Sequence, residues 1–77
     1  SAIAAYITSV EAGNRTGKIH VLLGVSYTKV GKYDEGLQEL NQARLRGYDD
    51  VVVKSNIAMI QMANGEYQQA IRTLAPV

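Results

Sequence analysis

His20 is the only imidazole in the 77-residue chain, and there is no cysteine beside it. A lone histidine provides no His-His metal pair, and no Ser-His-Asp relay can be assembled around it, so His20 reads as an ordinary helix-face residue. The acidic pairs Asp34-Glu35 and Asp49-Asp50 are neighbours in sequence, and on a helix adjacent side chains diverge by about 100° rather than converging on one substrate. They read as capping and solvated charges. Gly31 to Gly36 has glycines at phosphate-loop spacing, yet the Lys-Ser/Thr that must follow is missing and no strand precedes it. Asn14-Arg15-Thr16 matches a glycosylation sequon and reads as a polar turn. Tyr27, Tyr33 and Tyr67 alternate with cations, as in single-strand nucleic-acid binders, but they fall on apolar helical stripes and are assigned to the core. These residues therefore predict no catalytic site, no metal and no cofactor, and the expectation is that the chain is not an enzyme.

Composition narrows the partners further. Hydrophobic residues at 47% and charged residues at 19% describe a chain that folds. Its length allows one domain with a small core. Eight Lys and Arg against seven Asp and Glu leave a net charge of +1, too weak a field to gather nucleic acid or an anionic membrane. Without cysteine there is no disulfide frame, and packing alone must hold the fold. That condition suits a cytoplasmic or a periplasmic chain equally. The longest apolar run, Val21 to Val25 with Gly24 inside it, is far short of the roughly 20 residues of a membrane span, so membrane insertion is not expected. No signal peptide is visible. The chain begins inside an apolar-periodic segment, and a piece of a longer protein is expected.

The elements that must position any site follow from an internal repeat. Gly31, Tyr33 and Leu40 return as Gly65, Tyr67 and Leu74, each 34 residues on. Ile19 with Val53, Leu23 with Ile57, Gly24 with Ala58, Gly36 with Ala70 and Leu37 with Ile71 match in the same frame, small with small and apolar with apolar. One step back, Gly36, Leu37 and Leu40 land on Ala2, Ile3 and Tyr6. The expected organisation is a single domain, with residues 1–16 as the second helix of a preceding repeat, 17–50 as a full repeat and 51–77 as a second, truncated one.

Within a unit, Ile19, Leu22, Leu23, Ser26, Tyr27 and Val30 form one helical stripe, and Leu37, Leu40, Ala43 and Arg44 another. Glycines at 13, 17, 31, 47 and 65 punctuate the stripes. Five helices are predicted, over 2–12, 18–30, 33–46, 51–63 and 67–75, the last stopped by Pro76, and no strands. Gly31 and Gly65 are placed where a left-handed residue closes a helix and reverses the chain. Asp34 and Glu35 in the first turn of the third helix, with Arg44 and Arg46 in its last, complement the helix dipole.

Leu23-Gly24, Tyr27, Gly31, Tyr33, Gly36, Leu40 and Ala43, repeated as Ile57-Ala58, Gly65, Tyr67, Ala70 and Leu74, resemble the tetratricopeptide repeat family. The resemblance covers essentially the whole chain. It implies an all-α fold, a right-handed solenoid of antiparallel helix hairpins. Gly24 and Ala58 would then touch Gly36 and Ala70, while Tyr33, Tyr67, Leu40 and Leu74 fill the space between hairpins. The chain departs from the pattern at His20 and Lys54, in place of an early tryptophan, and at Gln61, in place of a tyrosine. Tyr48 replaces the proline that opens the next repeat, which is expected to loosen the junction from Gly47 to Asp50. Ser55-Asn56-Ile57-Ala58 and Gly65 to Ala70 look like bacterial versions, including those of pilus and secretion assembly proteins.

The same resemblance implies a concave groove lined by the first helix of each pair: Lys18, Val21, Val25, Thr28 and Lys29, then Val52, Ser55, Asn56, Met59, Met62 and Ala63. Only Asn56 matches the residues that clamp a terminal carboxylate in some members, and valines replace others, so a chaperone-tail clamp is not expected. Flexible, polarizable Met59 and Met62 suit an adaptable contact, and a helical or extended apolar peptide of a protein partner is the expected ligand. The competing assignment packs both methionines internally or against a neighbouring repeat. Uncapped solenoid ends expose apolar faces, so an assembly role with self-association into a homo-oligomer is the alternative.

Overall fold

Capping residues and turn glycines divide the chain into five α-helices in a computed structural model that describes residues 1–13 and 16–76. The helices are α1 (Ala2–Glu11), α2 (Gly17–Lys29), α3 (Tyr33–Leu45), α4 (Asp50–Ala63) and α5 (Tyr67–Leu74), with no strand among the described residues. Asn14 and Arg15, which carry the sequon, lie outside them. The Ser1 and Thr16 hydroxyls cap α1 and α2 by accepting from the Ala4 and Ile19 amides. Asp49 caps α4, its Oδ1 accepting from Val51 N at 2.9 Å and Val52 N at 3.2 Å. Helices α3 and α5 have no side-chain cap; each starts two residues after a reversing glycine.

That reversal is built alike in both hairpins. Gly31 adopts φ 81° and Gly65 φ 75°, the left-handed region that favours glycine. The Gly31 and Lys32 amides donate to Thr28 and Tyr27 carbonyls, and the Gly65 and Glu66 amides donate to Met62 and Gln61 carbonyls. These paired bonds satisfy the helix-end carbonyls and send the next helix back antiparallel. At the C-terminal end α5 stops at Leu74, one residue before Ala75 and two before Pro76.

Each helix packs on the next in sequence, and α2 also touches α4. The result is a slab of 37 × 25 × 13 Å, an all-α fold of helix hairpins. Leu40, Ala43, Val53 and Ile60 are fully buried with Val21 and Ile57 around them, and Val25, Tyr33, Leu37 and Tyr48 pack against this cluster. Burying a Leu or Ile side chain contributes about 1.5–3 kcal/mol, so Leu40 and Ile60 are the principal anchors between α2, α3 and α4.

The helices of the first hairpin meet where side chains are smallest. A Cβ built on Gly24 would sit 2.9 Å from Leu40 Cγ and 3.1 Å from the Gly36 carbonyl oxygen, and one on Gly36 would sit 2.9 Å from Thr28 Oγ1 and 3.1 Å from the Gly24 carbonyl oxygen. Ala58 and Ala70, one repeat on, are both buried. The junction around Tyr48 is tighter than its missing proline predicts. The Tyr48 amide donates to the Ala43 carbonyl at 3.1 Å, and a Cβ on Gly17 would fall 2.8 Å from Tyr48 Cβ. The tyrosine side chain thus packs against Gly17 and ties the start of α2 to the α3–α4 connection.

Tyr67 and Leu74 depart from their expected core role, being 65% and 55% exposed. Their repeat mates Tyr33 and Leu40 are covered because α3 lies between α2 and α4. Helix α5 packs on α4 alone.

Candidate functional site

The groove positions lie on α2 and α4, whose direct contact sets them side by side. On α4, burial divides the helix sharply. Val53, Ile57, Ala58 and Ile60 face the core, while Val52, Ser55, Met59 and Met62 recur at spacings of three and four along an exposed stripe. Met59 is 58% and Met62 53% exposed, so both methionines stand in solvent rather than packing internally. Ala63 at the end of α4 is exposed as well. Asn56 turns back on its own helix, its Nδ2 donating to the Val52 carbonyl at 2.8 Å.

On α2, Lys18 and Lys29 are exposed and Val25 is half-buried. Two expected groove residues face elsewhere. Val21 is only 7% exposed and belongs to the core cluster, because the α2–α4 contact closes over it. Thr28 donates its hydroxyl to the Gly24 carbonyl at 2.8 Å, and this hydroxyl lies against Gly36, which places it at the α2–α3 contact. Of the expected positions, Lys18, Val25 and Lys29 on α2 and Val52, Ser55, Met59 and Met62 on α4 remain exposed or half-buried, and Val25 and Lys29 also line a cavity with Ile3 and Tyr6 of α1.

His20 differs from the helix-face residue expected. It is buried, and its Nδ1 lies 2.7 Å from Oε1 of Glu39 on α3. A carboxylate can only accept here, so Nδ1 carries the proton and donates it. Nε2 is buried without a hydrogen-bond partner among the described residues. The pair was readable in principle: once Gly24 is set against Gly36 in an antiparallel hairpin, four residues back on one helix and three on along the other bring His20 to Glu39. Among the described residues no three His, Cys, Asp or Glu side chains come together to hold a metal. No described helix is long and apolar enough to cross a membrane.

No family model and no solved structure matches the chain. Over 55 residues, 71% of its length, it is 36% identical to Superkiller protein 3 of Schizosaccharomyces pombe. The matched stretch spans 4% of that protein. The chain is therefore similar to a short segment of a much longer protein.

Proposed function

We propose that this chain is a tetratricopeptide-type segment of a protein-interaction scaffold, binding a helical or extended apolar peptide along the strip formed by α2 and α4. The observation that carries this reading is the division of α4. Residues 53, 57, 58 and 60 complete the core, whereas Val52, Met59 and Met62 stay exposed in line, with an adaptable chemistry suited to a partner's apolar side chains. Lys18 and Lys29 at the α2 side favour a peptide with acidic flanks. The work is done by shape and contact, without covalent chemistry. Met59→Glu places a charge in the middle of the strip without touching the core, so it should abolish capture of an apolar peptide selected against the wild-type chain while the thermal melt stays unchanged. Undiminished capture by this variant contradicts the reading.

A second reading, assembly through the end of the slab, is favoured by α5. Tyr67, Ile71 and Leu74 are exposed at positions whose repeat mates Tyr33, Leu37 and Leu40 pack into the core. A helix of α4 type, from another repeat or a second copy, would cover them as α4 covers α3.

A further inference from the structure

A cavity of about 550 Å³ opens between α3, α4 and α5, on the side of α4 opposite the Met59 strip. Arg44, Lys54 and Arg72 line it together with Asn41, Gln61 and Thr73, and no Asp or Glu contributes to its wall. Three of the eight cations of a nearly neutral chain are thus gathered around one concavity. Arg44 and Arg72 are exposed and form no ion pair with any described residue. Lys54 Nζ lies 3.1 Å from Asp50 Oδ2 one turn back on its own helix, and this aspartate is itself largely exposed; surface pairs of this kind are weak and exchange readily. The floor is firm, since Thr73 Oγ1 donates to Gln61 Oε1 at 2.7 Å and locks α5 to α4.

The repeat indicates what belongs there. Stepping 34 residues back carries Lys54 onto His20 and Thr73 onto Glu39, the two residues that pair at 2.7 Å between α2 and α3. In the first repeat this position brings a basic side chain and a carboxylate together. In the second the basic side chain remains as Lys54, two arginines are added, and threonine stands in place of the carboxylate. We infer that the cavity is a carboxylate-binding site that takes an acidic side chain of a partner peptide, supplying from outside the group that Glu39 supplies within the preceding repeat. Arginine forks suit a planar carboxylate, and a lysine adds a point charge. The site is independent of the Met59 strip, so failure of either leaves the other standing.

The test uses the full chain and a fluorescent, end-capped oligoglutamate peptide, with oligoglutamine as its neutral counterpart and inorganic phosphate as competitor. The glutamate peptide should bind and the glutamine peptide should not, and binding should fade as ionic strength rises toward about 1 M, where the screening length falls to about 3 Å. Arg44→Gln and Arg72→Gln should each weaken binding about threefold and together about tenfold, with Lys32→Gln, an exposed cation outside both sites, leaving it unchanged. Thr73→Glu, which restores the carboxylate of the first repeat, should remove peptide binding. In the wild-type chain, the amide signals that shift on titration should be those of residues 41, 44, 54, 61 and 72, a readout that holds even if a variant fails to fold. No binding of the glutamate peptide, binding indifferent to both arginines, shifts confined to α1 and α2, or displacement by phosphate at the concentration of the peptide itself would each overturn the proposal.

Discussion

Gly24 and Gly36 set the separation of α2 and α3, since each backbone occupies the space where the other's side chain would begin. A methyl at Gly36 meets the Gly24 carbonyl at 3.1 Å and Thr28 Oγ1 at 2.9 Å; a rotamer change can move the hydroxyl, but the backbone cannot move without parting the helices. Overpacking of this kind costs about 1–3 kcal/mol and outweighs the gain of about 1 kcal/mol that alanine brings to a helix interior. Gly31→Ala meets nothing within 4 Å, and its cost, about 1 kcal/mol, comes from the left-handed backbone instead. Denaturant melts of both variants should therefore show a loss of stability, whereas Gly13, Gly31 and Gly36 would be indistinguishable if glycine served only as a flexible link. The role of Gly31 was legible from its place just past an apolar stripe, and that of Gly24 and Gly36 from the resemblance to the tetratricopeptide pattern. The His20–Glu39 pair was not read, because an isolated histidine shows no periodicity and its partner becomes visible only after the hairpin register is fixed.

The helix boundaries were legible to within about a residue because local chemistry punctuates them at almost every end. Pro76 and the glycines end helices, while Asp49 begins one by capping two amides. Asp49→Ala leaves the Val51 and Val52 amides without their acceptor and should lower stability by about 1 kcal/mol, within the usual range for N-caps. Circular dichroism melts would detect it, and substitution by Asn should recover most of the loss. Ala58→Leu or Ala70→Leu should be more damaging, since both alanines are buried, one on each of the packed helices α4 and α5; an unchanged melt would count against that packing. What local patterning did not supply is the direction of individual side chains within a stripe. Val21 and Thr28 share a helix face with groove positions, yet the crossing of α2 with α4 and with α3 turns one into the core and the other toward Gly36.

At the scale of the molecule, the slab is asymmetric: α3 is covered on both sides while α5 keeps Ile71 64% exposed beside Tyr67 and Leu74. Neighbouring apolar side chains of this size favour association, at about 25 cal/mol per Å² removed from water. Light scattering over a range of concentrations should show self-association that Ile71→Glu removes without altering the helical content; a chain that remains monomeric at every concentration contradicts this. The exposure of Tyr67 and Leu74 could not be read from the sequence, because burial there depends on a neighbouring element rather than on the residues themselves. The fold rests on two antiparallel hairpins whose first pair of helices meets at glycine, and nuclear Overhauser effects between the Hα protons of Gly24 and Gly36 test that most directly. The account predicts a strong cross-peak between them in the folded chain, with a matching contact between the Ala58 and Ala70 methyl groups. A folded sample with helical chemical shifts and no Gly24–Gly36 contact would contradict it.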